Sequence, residues 1–443
     1  MPQEGNRGGF SFFAMVGGVM ALLKVKEKYD EYREVAADDD ESRVALTSAD
    51  PLGGPRRSGE GPIALLDTEV PATRGRRAQK KKPCCLCCGY DCSILFKALG
   101  IVIGLYTLYL GFKAVRWALT DSPTGLEGMP TFGESWSCSD ASFTYEDKLI
   151  QTSALMGTEY NDHLFNVNGY GLGTITIADG DSTSDEIKYE ILIKANKKEL
   201  LSDVSLNPPS READGTVHKS RFLLQTSATS DDKSCMKYDV KVLVPPKLKK
   251  LHVSLHTPAQ VRFQEGSKIN LDDLYVTIYA LEEKNLILTN KDVNANKLAL
   301  EVHRGWIVGE ASIVDETNIS TQRGDGVANV KFYPTLPADA SSSKPAVLST
   351  ATGKGRSDFF FIGNSGFKRP ISSHHISAMN GDVYLTYKQA NLNGKIKLGS
   401  KSFTATGVRP FQKPGSGWTH FVGSEDGEDE ITVSSRGWTG LYV

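Results

Sequence analysis

Residues Ile94–Leu119 read ILFKALGIVIGLYTLYLGFKAVRWAL. Within this stretch the 15 residues Ala98–Phe112 carry no charge. As a helix that core measures about 22 Å, short of a hydrocarbon layer of about 30 Å. Ile94, Leu95 and Phe96 extend it beyond Lys97. Ala114, Val115, Trp117, Ala118 and Leu119 extend it around Lys113 and Arg116. Long basic side chains snorkel to the headgroups, so the whole segment reaches across. Trp117 falls where an interfacial aromatic belongs. The competing reading is a helix buried in a globular core. The expectation is one transmembrane helix, residues 94–119.

Charge around that helix predicts its direction. The chain has 443 residues and a net charge of −2, which gives no argument for nucleic acid. The average hides an asymmetry. Arg74, Arg76, Arg77, Lys80, Lys81, Lys82 and Lys97 crowd the N-terminal flank, whereas the C-terminal flank offers Lys113 and Arg116, then Asp121, Glu127 and Glu134. The flank richer in Lys and Arg stays in the cytosol. Residues 1–93 are therefore expected to be cytosolic and 120–443 extracytoplasmic: a single-pass type II protein of the secretory pathway.

The seven cysteines divide in the same place. Cys84, Cys85, Cys87, Cys88 and Cys92 lie just before the span; only Cys138 and Cys235 follow it. A lone pair in an oxidising compartment is what one disulfide needs. Closing a loop of about 100 residues contributes roughly 4–5 kcal/mol in the chain-entropy model. Two free buried thiols are the alternative.

The arm before the span has three parts. Gly9–Leu23 (GFSFFAMVGGVMALL) is apolar and runs into the charged KVKEKYDEYREV. Lys24 and Lys26 stand where a signal peptide would need its cleavage site. An amphipathic helix over residues 9–34, on the membrane surface or against a partner, is expected instead. A second true span is the alternative, against which stand the shortness of the run and Gly17 and Gly18 within it. Residues 36–73 are acidic and then rich in Pro, Gly and Ser, a composition that stays disordered. The basic, cysteine-rich cluster 74–92 combines attraction to anionic lipid headgroups with thiols placed for S-acylation. Cys84/Cys87 and Cys85/Cys88 also show C-x2-C spacing, but structural zinc sites join separated pairs. Acylation at Cys84, Cys85, Cys87, Cys88 and Cys92 is the expectation, with no metal or other cofactor.

Beyond a Pro/Gly-bearing linker, residues 120–136, strand signals dominate. Thr174–Ile177, Ile187–Lys194 and Lys237–Val244 alternate apolar and polar positions between turn-rich stretches. That texture predicts an antiparallel β layer over 137–246, tied by Cys138–Cys235 and ended by Pro245-Pro246. A repeat follows. Leu251, Val253 and Leu255 recur 23 residues on as Leu274, Val276 and Ile278. They recur after another 24 as Leu298, Leu300 and Val302. A period in the low twenties with one or two short strands per unit predicts a β-solenoid over 247–443. A β-sandwich with irregular loops is the alternative. The fold class is mainly β: a single transmembrane helix, an antiparallel layer, then a solenoid-like repeat.

The stretches from PPKLKKLHV through NISTQRGDGVANVKF and HHISAMNGDVYLTYKQANLNGKIKL resemble the adhesin-like β-solenoid domains of bacterial and fungal envelope proteins. Asn380-Gly381-Asp382-Val383 and Gly305-Trp306-Ile307-Val308-Gly309 carry the likeness in their turns. The layout of basic arm, span and β domain resembles uncharacterised fungal single-pass membrane proteins. The resemblance implies a fold and a surface location and no catalytic residues.

Candidate chemistry is sparse. Gly169, Gly171 and Gly173 precede a strand, whereas a phosphate loop must open a helix. Asp179, Asp181, Asp185 and Glu186 lack the EF-hand pattern and read as a solvated hairpin loop. The acidic run Glu425, Asp426, Glu428, Asp429 and Glu430 reads the same way. His374 and His375 are adjacent, so a strand sends them to opposite faces. No G-x-S-x-G, H-E-x-x-H or Walker sequence occurs. Asn318-Ile319-Ser320 is the only N-glycosylation sequon. The expected function is non-enzymatic display of the β domain, for adhesion, cell-wall contact or scaffolding. Its partners are lipid, and an extracytoplasmic protein or wall polymer. A lipid- or ligand-binding module and an unrecognised hydrolase are the alternatives. Two facing carboxylates in a cleft would mark the last.

Overall fold

A computed structural model describes residues 16–26, 28, 86–87, 90–119 and 124–443, apart from 135, 137, 139, 227–232, 322–323, 338, 340–343, 365 and 413–414. The chain divides into two compact units, Met1–Ser122 and Pro123–Val443.

The first unit contains helix α1, residues 16–26, short strands β1 (Leu86–Cys87) and β2 (Tyr90–Asp91), and helix α2 (Cys92–Leu119). The segment Leu95–Lys113 of α2 is long and apolar enough to cross a membrane, with mean hydropathy 1.7. Phe96, Leu105, Leu108 and Phe112 stand exposed around it. Such all-round apolar exposure suits a lipid surrounding rather than a water-facing helix.

The second unit is mainly β. It begins with β3 (Phe143–Thr144), β4 (Ile150–Leu155), β5 (Asp162–Asn168) and β6 (Leu172–Asp179). Next come β7 (Glu186–Ala195), β8 (Ser205–Asn207), β9 (Arg221–Gln225) and β10 (Met236–Val244). Strands then come in twos: β11 (Lys250–Leu255) with β12 (Ala259–Phe263), and β13 (Ile269–Ile278) with β14 (Leu286–Thr289). β15 (Val293–Val302) and β16 (Trp306–Ile313) follow, then β17 (Glu316–Thr321) and β18 (Val327–Pro334). β19 (Ala346–Thr352) and β20 (Ser357–Ile362) precede β21 (Ile371–Ser377) and β22 (Val383–Gln389). β23 (Gly394–Thr406), β24 (Arg409–Pro410), β25 (His420–Val422) and β26 (Asp429–Tyr442) finish the unit.

From β11 to β20 each strand pairs in parallel with the strand two places on. One ladder runs β5, β11, β13, β15, β17, β19, β21. The other runs β6, β12, β14, β16, β18, β20, β22. β26 is long enough to close both ladders, and β23 covers it. The three apolar triplets stack in register: Leu251 on Leu274 on Leu298, Val253 on Val276 on Leu300, Leu255 on Ile278 on Val302. Alternation sends these side chains inward, where both ladders share one apolar core.

The start of the unit differs from an antiparallel layer. β7 does pair antiparallel with β4 and β10. However, β10 pairs parallel with β6, and β5 and β6 pair parallel with β11 and β12. The ladders therefore run past Pro245 and Pro246 without a break, because those prolines occupy the connection between strands rather than a ladder position.

Turns between ladder strands are fixed by buried polar side chains. Asn285 accepts from the Ala259 amide at 3.0 Å and donates to the Ala280 and Arg304 carbonyls at 2.7 and 3.0 Å. It thereby satisfies backbone groups on three successive turns. Gly305 sits against it with φ +124°, and a Cβ there would stand 2.3 Å from the Asn285 carbonyl oxygen. Only glycine fits.

Candidate binding surface

Residues 124–133, in the stretch expected as a linker, lie along the outside of the β6–β22 ladder. The Asn329 side-chain amide of β18 donates to the Thr124 carbonyl at 3.0 Å. Further along, the Arg262 guanidinium of β12 covers the Phe132 ring at 4.4 Å, and the Gly133 amide donates to Gln260 Oε1 at 2.7 Å. This strap thus crosses from β18 back to β12. Its first turn closes on Glu127, whose carboxylate accepts from the Thr124 and Gly125 amides at 2.7 and 3.1 Å. Backbone amides, those of Glu127 itself and Thr124 foremost, hold that carboxyl below its ordinary range. At its far end Cys138 reaches Cys235 at disulfide distance, with Cα atoms 5.7 Å apart.

A cleft of about 500 Å³ opens between the strap and the ladder. Gly128 and Pro130 form one wall; Trp306, Arg304, Glu283 and Asp325 form the other. Arg304 donates to Asp325 Oδ1 at 2.9 Å and also bonds Glu283, residues 21 positions to either side. The hydrogen bond it donates to Asp325 raises the guanidinium pKa further. One cation therefore bridges three successive turns and is shared by both carboxylates facing the cleft, so the three groups together keep one negative charge.

The outside of the β5–β21 ladder carries charge in alternation. Lys250, Asp273, Lys297 and Glu316 stand in register on successive strands. Lys250 meets Asp273 at 3.0 Å. Beside this row His256 stacks on Tyr279 at 4.6 Å, and His303 meets Tyr279 edge-on at 5.2 Å. The face is polar and aromatic.

Among the described residues three histidines are buried, His163, His303 and His375, and the first and last form hydrogen-bonded networks in the core. His163 shares hydrogen bonds with Ser220 and the Tyr189 hydroxyl. His375 shares them with Thr350 at 2.8 Å and the Tyr387 hydroxyl at 2.8 Å. Burial pushes each imidazole down to about 3. Both are neutral core groups, out of reach of a substrate: His163 and Ser220 are 2% and 3% exposed.

The residues singled out by sequence fall as follows. Cys138 and Cys235 come together; Asp140 is close by, but a disulfide leaves no thiolate for a metal. Arg74, Arg76, Arg77, Lys80, Lys81, Lys82 and the side chains of Cys84, Cys85, Cys87, Cys88 and Cys92 lie outside the described residues. Asn318 is exposed on β17, between Ala299 and Ser349 of the neighbouring strands. Asp181 accepts from Thr183 and Asp185 pairs with Lys247 at 2.7 Å, so that hairpin is satisfied by the protein. Gly173 is required because the Tyr238 ring occupies the place of its Cβ. His375 is buried and His374 exposed, as alternation demands.

Asp429 corrects the sequence reading. It is not part of a solvated acidic run but is 2% exposed at the start of β26. The missed signal is its place two residues before Ile431 and four before Val433, on the inward period of the strand. The Glu283–Arg304–Asp325 bridge was also missed. Its signal is opposite charge repeated at the 21-residue spacing of successive turns.

No protein-family model matches the chain, and no curated protein matches it. Two solved structures align with 67% of it. One is described as a "putative cell adhesion protein" from Clostridium sporogenes, with 9% identity, 99% of that chain covered and a TM-score of 0.23. The other is described as a "putative adhesin" from Bacteroides fragilis, with 12% identity, 98% covered and a TM-score of 0.28. With TM-scores below 0.5, neither likeness bears on fold or function here.

Proposed function

We propose that this chain is a membrane-anchored display protein without catalytic activity. α2 crosses the bilayer, residues 74–92 meet anionic lipid on the cytosolic side through basic and acylated residues, and the β unit is a solenoid on the extracytoplasmic side. Its outer faces contact an extracellular protein or wall polymer. The observation that carries this reading is the filled interior. Among the described residues the inward rows of both ladders are mostly Leu, Ile, Val and Phe, buried and packed turn on turn in one continuous apolar core. A ligand carrier of the lipid-binding kind needs an apolar cavity. A hydrolase of the two-carboxylate kind needs its acids in different environments. Here Glu283 and Asp325 share one guanidinium. Long stacked sheets instead offer wide, regular outer faces, which suits recognition of an extended partner.

Protease protection tests the placement. The full chain carrying a C-terminal epitope is made in sealed microsomes and treated with protease. Protection of the β unit until detergent is added agrees with the proposal. Digestion in intact vesicles puts the unit in the cytosol and ends the display reading.

A further inference from the structure

Helix α1 packs on α2. Val16 is buried together with Ala98 and Val102, and Val19, Met20 and Leu23 join Leu95 and Leu99 around that contact. Positions 16, 19, 20 and 23 form one helical face. The remaining positions up to Leu23 are Gly17, Gly18, Ala21 and Leu22, and Leu22 is 70% exposed. From Gly8 to Leu23 the sequence contains no charged residue. A helix resting on a membrane surface needs a polar face toward the headgroups. Residues 16–23 present none, which departs from the amphipathic helix expected over 9–34. Moreover, Ala98–Val102 belongs to the charge-free core of α2. A helix packed there shares its depth in the hydrocarbon.

We propose that the helix containing residues 16–23 is a second membrane-inserted segment, paired with α2 as a hairpin. Its partners are α2 on one face and lipid acyl chains on the other. This rests on α2 crossing the membrane with residues 74–92 in the cytosol. Charge sets the direction: Lys24, Lys26 and Lys28 follow the apolar run, whereas Glu4 and Arg7 precede it. The basic end stays cytosolic. Residues 24–93 are then a cytosolic loop, and the chain before residue 9 emerges on the same side as the β unit. The uncharged run 9–23 has 15 residues, as many as the charge-free core of α2, and snorkelling of Lys24 with local bilayer thinning covers the mismatch.

Glycosylation mapping decides this. A long polar extension bearing an Asn-Ser-Thr acceptor is placed before Met1 in one version of the full chain and after Val443 in another. Both carry Asn318→Gln, so any endoglycosidase-sensitive shift comes from the extension. The hairpin predicts a glycan in both versions. A glycan on the C-terminal extension alone overturns the hairpin and leaves the β unit outside. A glycan on the N-terminal extension alone, or on neither, overturns the hairpin together with the placement on which it rests.

Discussion

The carboxylate of Asp429 accepts a hydrogen bond from the backbone amide of Ile371 at 2.8 Å, across 58 residues of sequence. Its second oxygen accepts from the Asn393 amide at 2.7 Å. One side chain thus satisfies the amide of Ile371, the first residue of β21, and that of Asn393, just before β23. Asp429→Asn keeps one acceptor and turns an NH2 toward the other amide. Burying an unmatched donor costs about 1–3 kcal/mol. Urea unfolding of the full chain in detergent, followed by tryptophan fluorescence, should show a lower midpoint with an unchanged slope. An unchanged midpoint would show that the pairing is not needed.

Arg369 makes a second such clamp. Its guanidinium donates to the carbonyls of Lys344 at 2.8 Å, Thr335 at 2.9 Å, Pro345 at 3.1 Å and also Val314. These belong to the connections around β17, β18 and β19. Burial lowers its pKa, although Asp315 at 3.6 Å opposes that shift. Lysine has no planar fork to reach four carbonyls. Arg369→Lys should therefore destabilise nearly as much as Arg369→Met, each by about 3 kcal/mol or more. Full rescue by lysine would mean that charge alone matters.

Acid should unfold the β unit earlier than its carboxylates require. His163 and His375 sit near 3 in the fold against 6.5 when exposed. A group whose folded pKa is depressed gives stability that is complete above its unfolded pKa and is lost as pH falls toward its folded value. Between about pH 6.5 and 5, each histidine should remove about 2 kcal/mol. Asp429 acts in the opposite sense, since burial raises its pKa, but over the lower carboxylate range. Unfolding midpoints measured across pH 7 to 5 should fall steadily, and His375→Gln should flatten the trend by about half. A flat profile in the parent chain would contradict neutral burial.

Losing the bridge at the end of the strap should cost about 2–5 kcal/mol. Cys138→Ser, Cys235→Ser and the double variant should lose similar amounts, because each removes the same constraint. Unequal losses, measured by thermal unfolding with and without reductant, would separate a packing role for either residue from the cross-link.

The inward rows were legible because a strand alternates with period two, and Leu251, Leu274 and Leu298 repeat that alternation at nearly constant spacing. Strand direction was not. Ile187–Lys194 and Lys237–Val244 look alike whether paired parallel or antiparallel, and β10 in fact has one neighbour of each kind. The strap was read as a linker from its Pro and Gly content. What docks it is Gln260, Arg262 and Asn329, more than 120 residues away in sequence. Asp429 was hidden by the acids around it. The charged residues after Leu23 suggested a polar face for the helix, and residues 16–23 carry no charge.

Thiol mapping of the full chain from cells is the most direct test of the anchored, extracytoplasmic account. Free thiols are trapped with an alkylating reagent at lysis, and peptides are analysed before and after reduction. The account predicts a linked peptide containing both Cys138 and Cys235, released only by reductant, with no such link among the five cysteines ahead of the span. Full alkylation of Cys138 and Cys235 without reduction would place the β unit in a reducing compartment and contradict it.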